Sequence, residues 1–168
     1  QAKSLDAKKI FGYVPEIPSM FDALTVGEHL EYIRRAYKSQ ITDEEVQRLL
    51  ERFELEDKTE KMGSELSKGM MQKVSICCAL AVQPKVILFD EPMVGLDPKA
   101  IKELKEVILE LRSQGVTVLI STHMIEMVKE LWDVMFIMEK GHIVASFTRE
   151  ETAEQDLEEL FFKITEGE

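Results

Sequence analysis

Two near-continuous apolar runs, Val86-Ile-Leu-Phe89 and Val116-Thr-Val-Leu-Ile-Ser121, constrain this chain more than any other feature. Runs without regular polar alternation belong to strands covered on both faces, and such strands are found in parallel sheets. Between them Asp97 offers a cap, Pro98 takes the favoured first helical position and Gly115 is a stop, so the spacing predicts a helix over about Pro98 to Ser113. A strand, a helix and a strand in that order form a βαβ unit, whose strands run parallel with a right-handed crossover. Whatever follows the carboxyl end of each strand therefore lies on one edge of the sheet, where open α/β sheets bind their ligands.

The remaining text fits around that unit. Ile10 to Val14, closed by Pro15 and Pro18, reads as a strand leading into a loop. Thr25-Val-Gly-Glu28 is a capping box opening a helix to about Tyr37, and Thr42-Asp-Glu-Glu45 opens another. Residues 20 to 62 read as all-helical. Leu66-Ser-Lys-Gly69 precedes a helix of about Met70 to Val82, stopped by Pro84. Beyond Ser121, Met124 to Trp132 reads as a helix, Val134 to Met138 and Ile143 to Phe147 as strands around a turn, and Asp156 to Lys163 as an amphipathic tail helix.

Net charge decides which partners are reasonable. With 21 Lys and Arg against 32 Asp and Glu, net -11, the chain has no electrostatic reason to seek nucleic acid or anionic lipid. Adjacent Cys77 and Cys78 give neither a disulfide framework nor a zinc spacing, which fits a reducing compartment. The longest apolar run, Ile76 to Val82, is far short of the ~18 to 20 residues that span a bilayer, so membrane contact is expected through a partner and not by insertion.

Chemistry concentrates at the strand ends. Asp90-Glu91-Pro92 follows the first apolar run and Thr122-His123 the second. Alternation along an extended segment sends Asp90 and Glu91 to opposite sides, so one can face a metal and the other a different reactant. An apolar run ending in Asp is how nucleotide hydrolases place the carboxylate that holds Mg²⁺. Taken alone, the same two acids read equally well as solvated loop residues.

The run Val86-Ile-Leu-Phe-Asp-Glu-Pro92, then Gly95-Leu-Asp-Pro98 and Ser121-Thr-His123, preceded by Leu66-Ser-Lys-Gly-Met70 and by Gly12-Tyr-Val-Pro-Glu16, resembles the ATPase domain of ATP-binding cassette (ABC) transporters. Order and spacing both agree, and Leu157-Glu-Glu-Leu-Phe161 resembles the family's C-terminal end. The resemblance implies an α/β fold: a P-loop NTPase-like parallel sheet core, incomplete here, with a helical subdomain over about 18–83 inserted into a single domain spanning 1–168. It implies ATP and Mg²⁺ as cofactors, with Asp90 on the metal, Glu91 polarising the attacking water and His123 contacting the γ-phosphate. Glu16, Ser67, Gly69 and Asp97 would serve nucleotide binding, the last three across a head-to-tail dimer with a second ATPase domain. A transmembrane permease subunit would dock on the helical subdomain, with Met20, Phe21 and Leu24 as candidate contacts, and would hold the protein at the cytoplasmic face of the membrane. Chromosome-maintenance ATPases, which share the signature that Leu66-Ser-Lys-Gly-Met70 resembles, are disfavoured because only about fifty positions separate Ser67 from Glu16, too few for their long coiled coil.

Three departures bear on this. Glu16 stands where the family usually has Gln, and an ionised carboxylate accepts hydrogen bonds but cannot donate them. Lys68 and Met70 depart from the usual Leu-Ser-Gly-Gly-Gln; together with Glu16 they resemble the export-type branch. The phosphate cradle G-x-x-x-x-G-K-[ST] is absent, since none of the 8 glycines is followed by Lys. The first expectation is therefore the C-terminal portion of an ATPase powering a transporter, inactive alone. The alternative is a non-catalytic accessory subunit that offers its signature face to a complete ATPase.

Overall fold

A computed structural model describes residues 7–152 and 161–164. It divides into two compact units, residues 1–122 and 123–168. The first holds a three-stranded parallel sheet in the order β1 (Phe11–Val14), β2 (Val86–Asp90), β3 (Thr117–Ser121). Three helices, α1 (Val26–Tyr37), α2 (Asp43–Arg52) and α3 (Lys68–Ala81), are inserted between β1 and β2, and α4 (Pro98–Ser113) forms the crossover from β2 to β3. The α/β class and the helical insertion are thus those expected from the sequence.

The helix starts follow from their caps. Thr25 Oγ1 accepts from the Glu28 N–H at 3.2 Å while the Glu28 carboxylate accepts from the Thr25 N–H at 2.8 Å, and Thr42 and Glu45 repeat the exchange at 3.2 and 2.7 Å. Each box satisfies two donors that a helix start would otherwise leave without partners. Asp97 Oδ1 accepts from the Ala100 N–H at 2.9 Å, with Pro98 at the first helical position as read from the sequence. Arg52 at the end of α2 reaches α4, donating to Glu103 at 2.9 Å and to both oxygens of Glu110 at 2.7 and 3.0 Å. A two-pronged guanidinium–carboxylate contact fixes direction as well as distance, so it ties the helical insertion to the crossover helix.

Register divides the sheet into two unlike faces. Gly12, Ile87 and Val118 are neighbours across the strands, as are Val14, Phe89 and Ile120; Val14, Ile87 and Phe89 are fully buried. This face meets α3 so closely that a Cβ on Gly12 would stand 3.3 Å from the Ala79 carbonyl oxygen. The opposite face carries Tyr13, Leu88 and Leu119 in register, with Tyr13 48% and Leu119 54% exposed. The expectation that β3 is buried on both faces is therefore corrected: only the α-helical side is covered by the described residues, and β3 pairs with β2 alone.

The second unit contains α5 (Ile125–Val128) and an antiparallel pair, β4 (Val134–Glu139) and β5 (His142–Thr148). Lys140 and Gly141 turn the hairpin with φ of +47° and +80°, the left-handed pair that suits the twist of two-residue hairpins. The helix expected over Met124 to Trp132 ends at Val128, because the Leu131 N–H bonds back to the Val128 carbonyl and tightens the chain into a turn. Of the tail helix expected over Asp156 to Lys163, 161–163 is helical, continuing to 164, and the remainder lies outside the described residues. Among the described residues no helix is long and apolar enough to cross a membrane.

The unequal faces predict unequal mutational costs. Ile87→Ala should lower stability by about 2–5 kcal/mol, as for a buried aliphatic side chain. Leu119→Ala on the open face should change it by no more than about 0.5 kcal/mol. Urea unfolding of the two variants measures this, and a loss at Leu119 equal to that at Ile87 would contradict the assignment of an open face.

Candidate functional site

Because β1, β2 and β3 are parallel, Pro15-Glu16, Asp90-Glu91 and Ser121-Thr122 emerge at the same edge of the sheet. Asp90 and Ser121 are register partners, and the Ser121 hydroxyl donates to Asp90 Oδ1 at 2.5 Å. The Tyr13 hydroxyl, from β1, donates to Asp90 Oδ2 at 3.4 Å. The next residues pair likewise: the Thr122 hydroxyl donates to Glu91 Oε2 at 2.9 Å and the Glu91 N–H to the Ser121 carbonyl at 2.9 Å. The end of β2 thus presents two successive carboxylates, each gripped by a hydroxyl from the end of β3 or the residue after it. Glu16 is exposed at this edge, just beyond β1.

Glu91 departs from simple alternation. Its φ is +43°, a left-handed conformation for a residue with a Cβ, and such residues cost on the order of 1–3 kcal/mol and cluster at functional sites. The turn ends β2 at Asp90 and sends Glu91 towards Thr122 while its backbone N–H still bonds β3. The two acids are separated by this backbone reversal and not by pleating alone.

A second group gathers at the start of α3. Ser67 caps the helix, its hydroxyl oxygen accepting from the Met70 N–H at 3.3 Å, which leaves the hydroxyl proton to donate elsewhere. Gly69 lies against the loop that follows Glu91: a Cβ there would sit 2.7 Å from the Gly95 carbonyl oxygen, and Gly95 itself has φ +82°. One turn on, buried Gln72 donates to the Pro92 carbonyl at 3.3 Å, and Lys73, only 11% exposed, reaches Asp97 at 2.8 Å and Glu54 at 3.6 Å. The Lys73 ammonium and the Ala100 N–H hold the Asp97 carboxyl below the usual carboxylate range. Asp97 therefore has partners on both oxygens within its own chain.

His123, the remaining candidate, is exposed and is the first residue of the second unit, while Thr122 closes the first. Five participants were absent from the sequence-based set: Tyr13, Ser121, Thr122, Gln72 and Lys73. Ser121 and Thr122 stood inside a quoted motif, and the hydroxyls beside two strand-end acids were the available signal. Nothing in the linear text pairs Lys73 with Asp97.

Two outcomes follow. Gly69→Ala should separate the start of α3 from the 91–97 loop and destabilise the fold by about 1–3 kcal/mol, the usual cost of overpacking, measurable by urea unfolding. A carboxyl held low in the folded state adds stability that is complete above its unfolded value, about 3.9, and is lost as pH falls through the lower folded value. Asp97→Asn, which keeps the cap and removes the charge, should flatten the acid limb of the stability–pH curve; an unchanged limb would refute the Lys73–Asp97 assignment.

Comparison with known proteins bears on the family and the fold. The sequence matches the ABC transporter family over residues 2–94. It is 35% identical over 163 residues to the ABC-type transporter ATP-binding protein EcsA of Bacillus subtilis, covering 92% of this chain and 66% of that protein. It is also 35% identical over 148 residues to the lipopolysaccharide export system ATP-binding protein LptB of Haemophilus influenzae, covering 86% and 61%. The chain thus spans 61–66% of the length of these two curated relatives. A solved structure of an ATP binding subunit of an ABC transporter superposes with TM-score 0.86 at 32% identity, covering 98% of this chain and 73% of that one. The cbiO1 structure from Clostridium perfringens, described as part of the transporter complex cbiONQ, superposes at 0.69 with 27% identity, covering 92% and 63%. With more than half of its length matched by the family, the chain belongs to the ABC transporter family.

Proposed function

We propose that residues 1–168 form the hydrolytic and signature-bearing part of the ATPase subunit of an ABC transporter, with the phosphate cradle supplied by polypeptide outside these residues. In this reading they belong to one ABC-type domain with its helical subdomain over about 18–83. The observation that carries the reading is the pair Asp90 and Glu91 at a parallel strand end, each held by a hydroxyl of the next strand, with Glu91 turned into the left-handed region.

The donor set suits Mg²⁺. That ion is usually held by one or two carboxylates together with substrate phosphates and water, not by an all-protein cage. Asp90 offers hard oxygens held by neutral hydroxyls, and no group of three or more potential ligands exists among the described residues. When bound, the ion would neutralise charge on the phosphate oxygens. Glu91, with Oε2 oriented by Thr122, would accept a proton from the attacking water. His123 would contact the γ-phosphate. Ser67 would donate its remaining proton to a phosphate oxygen on a second ATPase domain in a head-to-tail dimer, aided by the helix N-terminus. Gly69 allows the close backbone approach, and Asp97 fixes the loop that would cross to that partner. Glu16 would contribute an acceptor at the sheet edge.

The permease would dock near Met20, Phe21 and Leu24, placing the subunit at the cytoplasmic face of the membrane. Glu16, Lys68 and Met70 favour an export-type system, in keeping with the export function named for LptB. Calorimetric titration of the 168-residue chain with Mg-ATP should show no micromolar binding, and assays should show no phosphate release. Either signal would refute the need for an outside cradle.

A further inference from the structure

His29 is buried on α1, 5% exposed, and neither ring nitrogen is idle. Nδ1 lies 2.7 Å from the Thr25 carbonyl oxygen, and Nε2 accepts from the Phe21 N–H at 2.9 Å. A carbonyl can only accept and a backbone N–H can only donate, so the contacts admit one form: neutral imidazole with its proton on Nδ1. The ring also stacks on Phe21, centroids 5.9 Å apart at 26°, and Phe21 meets Tyr32 edge-on at 5.6 Å.

Residue 21 is held from its other side as well. Its carbonyl accepts from the Leu24 N–H at 3.1 Å, and Gly63 lies so close that a Cβ there would stand 2.3 Å from that oxygen. The segment leading from Glu16 into α1 is thus fastened at Phe21, with the imidazole lone pair as one fastening.

His29 and Phe21 line a pocket of about 300 Å³ to which no Asp, Glu, Lys or Arg contributes. The titratable groups facing it are Tyr32 and Tyr37 from α1, Tyr13 from β1 and Cys78 from α3, whose thiol is pushed up to about 12 by burial. The nearest carboxylate in sequence, Glu28, is engaged with the Thr25 N–H, and Asp22 is exposed and does not line the pocket.

We propose that His29 is a proton-operated latch on the segment between Glu16 and α1. With the neutral ring the latch is closed. A proton taken from solvent at Nε2 sets an N–H against the Phe21 N–H and breaks that hydrogen bond, removing one of the fastenings at Phe21. The latch is closed at high pH and opens as pH falls. This proposal does not depend on the ATPase reading. If Phe21 also meets the permease, the latch makes that surface pH-sensitive.

The test is NMR on the intact 168-residue chain. At about pH 8, nitrogen shifts should report a protonated Nδ1 and a bare Nε2 on His29, with the Phe21 amide protected from exchange. As pH is lowered, Phe21 protection, corrected for intrinsic exchange, should fall about tenfold in step with the change in the His29 nitrogen shifts, as expected for one lost hydrogen bond, while Leu88 in β2 stays protected. His29→Gln, whose side-chain carbonyl can accept from Phe21 and whose amide can donate to Thr25, should keep the protection and lose the pH dependence. A proton on Nε2 at the higher pH, unchanged Phe21 protection across the range, or persisting pH dependence in H29Q would each overturn the proposal.

Discussion

The parallel pairing of β2 with β3, from Val86 with Thr117 to Asp90 with Ser121, is the constraint on which the site depends. It sets Ser121 opposite Asp90 and brings Thr122 to Glu91, so both acids are oriented by the same strand. A shift of one residue would break both hydroxyl contacts and also turn Ile87 and Phe89 out of the core. Burial of the apolar face and orientation of the carboxylates are therefore one requirement: the hydrophobic register that stabilises the sheet also assembles its chemistry.

A second coupling runs from the start of α3 to the loop after Glu91. Gly69 against Gly95, Gln72 on Pro92 and Lys73 on Asp97 form three contacts over five residues of α3. The glycine contact requires the absence of a Cβ, the Gln72 contact satisfies a buried carbonyl, and the Lys73 contact is ionic. Three contacts of different chemistry along one helix face back the loop against α3. Movement at Ser67 would reach the Glu91 loop through this backing.

Much of this was readable in the sequence because it is local. Thr25, Thr42 and Asp97 announce helix starts through bonds spanning three residues, and Pro98 and Gly115 delimit α4 by their own backbone geometry. The βαβ unit followed from two apolar runs, and the strand-end position of Asp90 followed from the unit. What escaped was non-local or conformational. The Lys73–Asp97 contact and the Tyr13 hydroxyl on Asp90 join residues far apart in the chain. The left-handed turn at Glu91 has no glycine to signal it. His29 gives no signal in the sequence, because its Nε2 partner is a backbone N–H eight positions earlier. The exposure of Leu119 escaped for another reason: its strand carries the composition of a central strand, while the described residues cover one face.

The proposed function turns on one claim, that the Asp90 and Glu91 carboxylates act together with a phosphate grip from other polypeptide. The most direct measurement is ATP turnover after a strand–loop–helix segment bearing G-x-x-x-x-G-K-[ST] from a relative is joined upstream. The account predicts that Mg-ATP binding and phosphate release both appear, and that Glu91→Gln in the joined protein abolishes release while retaining ATP. Near-normal turnover in the Glu91→Gln protein, or nucleotide binding without any turnover in the joined protein, would contradict it.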